Sequence, residues 1–188
     1  EEAHEKGTWV VPIDDAPGSI ENRVYEGFTE SDAWEDMVVP YMEVVHDRLN
    51  VEILRGCARG CRFCQAGIIY RPVRERSADN VVSSVQRGLA ATGYAEVSLT
   101  SSTDHSQIAD ILTRLNNIFE GKGVKVSIPS QRLDSFGVEM ASLCSGRKKG
   151  GLTFAPEAGT QRLRDDINKN VTEEDLISAT NASISAGW

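Results

Sequence analysis

Three cysteines on one short stretch of chain constrain this protein more than any other sequence feature. Cys57, Cys61 and Cys64 follow one another with CxxxCxxC spacing. Three thiolates on one loop can hold three irons of a [4Fe–4S] cube, whereas clusters that only carry electrons usually have four cysteine ligands. The fourth iron then has no ligand from this motif and stays open to a small molecule. The spacing therefore predicts chemistry at an unligated iron.

The residues around the cysteines suit a metal cluster. Gly56 and Gly60 keep the backbone slim, which allows close approach from outside. Phe63 offers an aromatic edge and a backbone amide beside the cube. Positive charge next to thiolates favours their ionisation and tunes the cluster potential. Three arginines supply such charge in the sequence: Arg55, Arg59 and Arg62.

Two other interpretations of the cysteines stay open. The three could belong to a zinc site in which Cys144 or a histidine is the fourth ligand, although zinc sites usually combine two separated CxxC-like pairs. A disulfide scaffold is less favoured, because four cysteines in 188 residues without a secretory signal indicate a reducing compartment. Cys144 ends a predicted helix and is most simply explained as a core thiol.

The cysteine loop resembles that of a known superfamily. The pattern Cys57-x-x-x-Cys61-x-Phe63-Cys64 is similar to the cluster loop of the radical S-adenosylmethionine (radical SAM) proteins, including the aromatic residue before the third cysteine. The longer run 51–77 resembles the Fe–S oxidoreductases of that superfamily that carry a cobalamin-binding-type domain upstream. The resemblance implies a [4Fe–4S] cluster, S-adenosylmethionine (SAM), an external one-electron reductant and, through a domain outside this chain, cobalamin.

Strand-like and helix-like runs alternate from Val51 onwards. Strands are predicted at 51–55, 95–100, 124–128 and 151–155, and helices at 78–91, 107–119, 135–144, 160–168 and 172–186. Ser77 is placed to cap the first helix and Thr172, with Asp175, the last. Such alternation predicts parallel βαβ units with right-handed crossovers. The resemblance makes this α/β fold a partial (β/α)6 TIM-like barrel, truncated after about four βα units.

The predicted domain boundary lies just before the first strand. Residues 49–188 form the expected radical SAM core domain, incomplete at its carboxyl end, and residues 1–48 an amino-terminal extension. Within the extension, the acidic stretch 30–36 is expected to begin a short helix. Because the chain starts at Glu1 rather than at methionine, we expect a fragment of a longer protein.

Ligands of parallel α/β folds collect at the carboxyl ends of the strands. After the second predicted strand come Thr100, Ser101 and Ser102, whose hydroxyls and amides are candidates to hold the amino and carboxylate groups of methionine, as the matching segment does in the superfamily. The sequence lacks the Gly-Gly-Glu form found there in many members. The equal alternative is helix capping by Thr103 or Asp104.

The third and fourth predicted strands add further candidates. Ser130 and Arg132 follow the third strand, and Arg132 is a candidate to pair with a carboxylate of SAM or substrate, or internally with Asp134 or Glu157. Glu157 follows the fourth strand, where a carboxylate is costly without a partner. The resemblance implies that Glu157 hydrogen-bonds the ribose or amino group of SAM.

Three nearby features are given ordinary structural roles. Arg162 and Arg164 are expected to be surface cations, with Arg162 a weak site candidate besides. The stretch 168–170 matches the pattern of the family that the chain resembles, and a solvated turn is its favoured interpretation. The local basic cluster is attributed to cluster neutralisation and carboxylate pairing; it comprises Arg55, Arg59, Arg62, Arg71, Arg74 and Arg76.

Composition limits the partners. The formal net charge of −8 argues against broad electrostatic binding of nucleic acid. No apolar run approaches the roughly 20 residues that span a bilayer. Together with the cysteine usage, this predicts a cytoplasmic protein.

The leading hypothesis is an enzyme, or its catalytic module, that reductively cleaves SAM to a 5′-deoxyadenosyl radical acting on an unknown substrate. A methylthiotransferase-like enzyme is the alternative within enzymology, and it normally needs a second cluster domain. A non-catalytic iron–sulfur or zinc-binding module is the alternative from another class.

Overall fold

The computed structural model describes residues 2–4, 7–9, 11–31, 37–144 and 151–188. The short strands β1 (Glu2–His4) and β2 (Gly7–Trp9) pair antiparallel. A 3-10 helix follows at Glu26–Glu30. The helix expected over 30–36 lies for the most part outside the described residues.

The predicted first strand is divided into two pieces with different partners. Strand β3 (Leu49–Glu52) joins the central sheet, whereas β4 (Leu54–Arg55) pairs antiparallel with β5 (Arg74–Glu75). Ile53 lies between them: its N–H donates to the carbonyl of Thr100, and its own carbonyl accepts from the N–H of Arg76. The chain therefore changes hydrogen-bonding partner at Ile53, just before the cysteines.

The central sheet is parallel, as predicted. It has the order β3-β6-β7, with β6 at Glu96–Thr100 and β7 at Lys125–Ser127. Leu49 faces Val97 and Glu52 faces Thr100 in the register of β3 and β6, and Glu96 faces Lys125 in that of β6 and β7. The carboxyl ends of these strands consequently meet at one edge of the sheet.

Five helices accompany the strands in the described part of the chain. Both predicted caps are present: Ser77 accepts from the N–H of Asn80, and Thr172 and Asp175 form a capping box. The helices are α1 (Ala78–Thr92), α2 (Ile108–Phe119), α3 (Val138–Cys144), α4 (Gln161–Asp166) and α5 (Glu173–Ser185). In this part of the protein, none of the helices combines the length and apolar character that crossing a membrane requires.

Two hydrophobic clusters fill the interior. The larger one lies between the central sheet and helices α1 and α2; Leu49, Val85, Leu99 and Ile111 are among its fully buried members. The smaller one packs α3 against α5 around Phe136, whose ring meets that of Phe154 edge to face at 4.8 Å between centroids. The α/β architecture of an open, partial barrel is confirmed.

The predicted fourth strand was wrong in its extent. Of residues 151–155, only Phe154 forms a β-bridge, parallel to Gln131, whose N–H donates to the carbonyl of Thr153. Gln131 lies beyond Pro129, and a proline has no N–H for a ladder. Pairing therefore does not extend from β7 to this point, and the chain contributes one bridge where a strand was expected.

Candidate functional site

The cysteines lie in a loop, residues 56–73, whose two ends are joined by β4 and β5. Gly56 opens the loop with a φ of +89°, a conformation that favours glycine. A Cβ at this position would lie 2.3 Å from the carbonyl oxygen of Tyr70 and 2.9 Å from that of Pro72. The segment 70–72, which precedes β5, therefore packs directly on Gly56, and this contact fixes the position of the next residue, Cys57.

The three cysteines differ in burial. Cys57 is 7% exposed, and its sulfur accepts a hydrogen bond from the N–H of Arg59 at 3.3 Å. Cys61 and Cys64 are half-buried, and the N–H of Cys64 donates to the carbonyl of Cys61. A 3-10 helix, Gln65–Gly67, follows the last cysteine. One sulfur thus lies at the base of the loop and two near its surface.

The donor set fits an iron–sulfur cluster. Three free thiols share one loop, and the N–H···S bond to Cys57 is of the kind that tunes cluster potentials. No three His, Cys, Asp or Glu side chains within the described ranges converge on a single metal ion. A cube places its thiolates on separate irons, so it does not require such convergence.

A second segment holds the loop from the opposite side. The N–H of Arg62 donates to the carbonyl of Ile167 at 3.0 Å, and the guanidinium of Arg62 to that of Asp166 at 2.5 Å. The side-chain amide of Asn168 donates to the carbonyl of Gly60 at 2.8 Å. The expectation that 168–170 is a solvated turn holds for the exposed Asn170 but not for Asn168, because the tertiary fold brings Asn168 against a loop more than a hundred residues earlier.

A charged network lies beside Cys61. The Nε and Nη2 atoms of Arg132 donate to both carboxylate oxygens of Asp134, at 2.8 and 3.0 Å. Asp134 also pairs with Arg59 at 3.4 Å. Burial opposes the charge on Asp134, but Arg132 and Arg59 outweigh it and lower the pKa of Asp134.

The same network keeps Arg132 charged. Burial acts against the guanidinium, yet the hydrogen bonds and charge of Asp134, with smaller contributions from Cys61 and Asp104, raise the pKa of Arg132. The structure thus shows the internal pairing that was one of the two expectations for Arg132. Through Asp134 the pair connects to Arg59, a residue of the cysteine loop itself.

Glu157 has an internal partner as well. Its carboxylate lies 3.2 Å from the Nζ atom of Lys169, and its backbone has a φ of +69°. Lys169 in turn lies 5.9 Å from the ring centroid of Phe63, which is 52% exposed. Glu157 and Phe63 are therefore joined through one ammonium group, although 94 positions separate them in the sequence.

The serine and threonine residues of the predicted site follow the carboxyl ends of the strands, as expected, and they differ from one another in their hydrogen bonds. The carbonyl of Thr100 accepts from Ile53, and Ser101 donates its hydroxyl to the carbonyl of Thr103 at 2.7 Å. Ser102 and Ser130 are exposed.

Neither Thr103 nor Asp104 caps helix α2, which was the alternative for this segment. Helix α2 has Gln107 at its amino-terminal cap, without a side-chain capping bond. Asp104 instead accepts from the N–H of Arg132 and from the hydroxyl of Ser135. A residue considered for helix capping thus ties the second strand's loop to the third.

The arginines divide into several roles. Arg55 pairs with Glu52, whose hydrogen bond raises the pKa of the guanidinium. Arg76 is 3% exposed and donates to the carbonyl of Glu52. Arg164 was expected at the surface, and this was wrong: it is 5% exposed and donates to the carbonyls of Val171 and Ala158. Carboxylate pairing therefore accounts for only part of the basic cluster.

Two cavities lie in different parts of the molecule. One of about 430 Å³ adjoins Cys61 and is lined by the side chains of Arg59, Arg62 and Arg71. A larger one of about 590 Å³ lies along β7, between α2 and α3, and includes Cys144 and Trp188. The larger cavity contains none of the predicted site residues. We therefore place the candidate site at the smaller, cationic one.

The structure thus combines an open α/β barrel with a three-cysteine loop at the carboxyl end of its first strand. The family model of the radical SAM superfamily matches residues 51–188. This match covers well over half of the chain, and the protein belongs to the radical SAM superfamily. Membership implies a [4Fe–4S] cluster and SAM as cofactors.

Two curated proteins are similar to about two thirds of this chain. An uncharacterized protein of Methanocaldococcus jannaschii is 34% identical over 131 residues, which are 69% of this chain and 28% of the relative. A tRNA-2-methylthio-N(6)-dimethylallyladenosine synthase of Syntrophomonas wolfei is 27% identical over 142 residues, 68% of this chain and 30% of the relative. The chain thus spans less than a third of the length of these relatives.

Solved structures share the fold. The radical SAM methyltransferase TsrM of Kitasatospora setae, with cobalamin and a [4Fe–4S] cluster bound, has a TM-score of 0.62 at 16% identity, covering 74% of this chain and 29% of that one. The cobalamin-dependent SAM radical enzyme OxsB has a TM-score of 0.60 at 18% identity, covering 72% and 22%. At these identities the likeness concerns the fold alone.

Proposed function

We propose that this chain is the catalytic module of a radical SAM enzyme, in which Cys57, Cys61 and Cys64 ligate a [4Fe–4S] cluster. The observation that carries the proposal is the loop geometry: three free thiols lie on one loop that is hydrogen-bonded at both ends, and a backbone N–H already points at one sulfur. When bound, the cluster and SAM supply one-electron reductive cleavage of a carbon–sulfur bond, which gives methionine and a 5′-deoxyadenosyl radical.

The other candidate residues bind and orient the cosubstrate in this proposal. Thr100, Ser101 and Ser102 contribute hydroxyls and amides to the methionyl end of SAM from the carboxyl end of β6. Glu157 hydrogen-bonds the ribose or amino group, and the ammonium of Lys169, 3.2 Å from its carboxylate, orients that carboxylate.

Arg132 and Ser130 complete the proposed binding edge. The side chain of Arg132 is 10% exposed and donates to both carboxylate oxygens of Asp134, so its role is to hold Asp134 against Arg59 of the cysteine loop rather than to bind a free carboxylate. Ser130 is exposed at the same edge and is available to a substrate. Phe63, half exposed beside Lys169, shields the cluster side from water.

A reductant and a substrate come from outside this chain. The cationic cavity beside Cys61 faces solvent at the cysteine loop, where an external one-electron donor has access. We further propose that cobalamin, if the whole protein uses it, is held by a domain other than residues 49–188. The reducing chemistry and the free thiols fit a cytoplasmic setting.

A methylthiotransferase-like activity is the second candidate. The match to the tRNA-modifying synthase of Syntrophomonas wolfei favours it. Such an activity needs a second cluster domain, and the chain has only Cys144 besides the three cysteines of the loop. The second cluster would therefore have to be bound by another part of the protein.

Oxygen-free reconstitution of the chain tests the first proposal. We expect roughly four irons and four sulfides per chain and slow release of 5′-deoxyadenosine on reduction with SAM. Cys57→Ala, Cys61→Ala and Cys64→Ala should each lose the cluster. Cys144→Ala is the matched control and should keep it. Retention of iron by Cys61→Ala, or one zinc that is insensitive to SAM, would reject the proposal.

A further inference from the structure

We propose that Asn168 is a positioning residue for the iron–sulfur loop, acting through the peptide bond that precedes Cys61. The inference rests on the proposed function, because it concerns the loop that would ligate the cluster. It assigns a role to Asn168, a residue of the turn that follows α4 and one to which no predicted SAM contact is assigned.

The contact joins two segments that are distant in sequence. The Nδ2 atom of Asn168 donates to the carbonyl oxygen of Gly60 at 2.8 Å, across 108 positions of sequence. The Nδ2 atom of Asn170 donates to the Oδ1 atom of Asn168 at 3.2 Å. Because its oxygen is engaged in this way, the amide of Asn168 is oriented with its nitrogen towards Gly60.

The backbone of the turn explains why asparagine stands here. Asn168 has a φ of +55° and Asn170 a φ of +53°, in the left-handed region. Asparagine tolerates this region better than most residues, and it also carries a donor of the right length. Helix α4 ends just before this turn, so its end directs the turn at the cysteine loop.

Gly60 leaves room for this hydrogen bond because it has no side chain. A Cβ at Gly60 would lie 2.8 Å from the Nδ2 atom of Asn168 and nothing else is within contact distance. A side chain at 60 would therefore displace the amide that binds its own carbonyl. The absence of a Cβ at Gly60 is what lets Asn168 reach the backbone.

The hydrogen bond controls the orientation of a ligand residue. The carbonyl of Gly60 and the N–H of Cys61 belong to one planar peptide unit, so fixing the carbonyl also fixes the direction of the N–H. Glycine alone leaves this unit free to rotate, because its φ and ψ are permissive. Amide groups aimed at cluster sulfurs tune the reduction potential. Asn168 is thus placed to set both the loop conformation and the potential.

Neighbouring contacts hold the turn so that Asn168 can act on the loop. Ile167 and Asp166 accept from the N–H and the guanidinium of Arg62, one residue beyond Cys61. The carbonyl of Lys169 accepts from Arg132 at 3.3 Å. The turn therefore contacts the loop on both sides of Cys61.

The test compares Asn168→Gly with Asn22→Gly in the full chain. Glycine keeps the left-handed backbone at 168 and removes only the amide. Asn22 makes the same kind of bond, from its Nδ2 atom to the carbonyl of Ile69 at 3.0 Å, but outside the span of the three cysteines. The two variants thus delete one equivalent hydrogen bond each, at different places.

Two readouts are independent of turnover. The first is amide hydrogen exchange in the chain before iron is added, over a peptide that includes the N–H groups of Arg62 and Cys64, which are hydrogen-bonded in the structure. We expect exchange there to be roughly two- to tenfold faster in Asn168→Gly, as the loss of one hydrogen bond implies. The second is the midpoint potential and EPR spectrum of the reconstituted cluster, which we expect to change in Asn168→Gly and not in Asn22→Gly.

The outcomes separate this inference from the proposed function. If wild type binds no cluster, or Cys61→Ala keeps it, the proposed function fails, while the exchange result still reports on the Asn168 contact. If wild type carries a cysteine-dependent cluster but both Asn variants match it in exchange and potential, the positioning role of Asn168 is refuted. A lower melting temperature of Asn168→Gly with an unchanged potential and EPR spectrum would also refute it, because the residue would then be structural only.

Discussion

Replacing Gly56 by alanine tests whether close packing of the segment 70–72 fixes the start of the cysteine loop. The added Cβ would lie 2.3 Å from the carbonyl oxygen of Tyr70 and 2.9 Å from that of Pro72, whereas ordinary contact begins near 3.4 Å. Both obstructing atoms are backbone. Arg74 holds them by donating to each. The segment 70–72 must therefore move by about an ångström to make room for the Cβ.

The expected cost has two parts. An L-residue in the left-handed region costs about 1–2 kcal/mol, and Gly56 has a φ of +89°. Overpacking that forces a backbone shift costs about 1–3 kcal/mol more. We expect Gly56→Ala to lower the free energy of unfolding by about 2–5 kcal/mol in total. We also expect it to reduce the iron content after reconstitution, since Cys57 is the next residue.

Gly93→Ala is the matched control. Gly93 ends α1 with a φ of +71°, and nothing lies within 4 Å of a Cβ built there. Gly93→Ala should lower the free energy of unfolding only by the roughly 1–2 kcal/mol that a left-handed backbone conformation costs alanine, and it should keep its iron. Urea unfolding gives the free energy of unfolding of both variants, and iron analysis after reconstitution gives their cluster content. Equal destabilisation and equal iron content in the two variants would refute the packing argument.

Two further predictions concern residues outside the loop. Arg164→Met should lower the free energy of unfolding by about 3 kcal/mol or more, because it leaves the carbonyls of Val171 and Ala158 without their charged donor. Arg162→Met, at an exposed position on the same helix, is the control and should change the free energy of unfolding by about 0.5 kcal/mol or less. Equal effects of the two substitutions in thermal unfolding would contradict the burial of Arg164. Burial raises the pKa of the Cys144 thiol from 9.0 to about 11, so the stability that the neutral thiol contributes is complete below pH 9 and lost as the pH rises towards 11. The free energy of unfolding, measured across this range, should therefore fall less in Cys144→Ala than in the wild type. Parallel curves for the two proteins would contradict the prediction.

Local patterns were sufficient for the elements that depend on neighbouring residues. The caps at Ser77 and Thr172 were predicted correctly, because a cap is a bond between positions three apart. The parallel order of the central sheet followed from alternating strand and helix signals. The strand over 151–155 was wrong, since a strand needs a partner, and the partner position Gln131 lies beyond a proline.

Long-range contacts decided the surroundings of the cysteines. Arg164 and Asn168 carry ordinary surface residue types, and no local signal distinguishes them from the exposed Arg162. A possible clue was the Asn-Lys-Asn run after α4, since asparagine favours left-handed turns. Only the packing of α4 shows that this run meets the loop.

The amino-acid sequence alone was enough to predict the ligand chemistry of this protein, because three thiols at fixed spacing on one loop require no distant partner to be recognised. It also determined the α/β class, since periodicity is a property of consecutive residues. The tertiary structure alone decided what holds the loop in place: the returning segment 70–72 against Gly56, the Asn168 amide on Gly60 and the ion pair between Asp134 and Arg59. These contacts join residues that are many positions apart, and their geometry exists only once the sheet and α4 have packed.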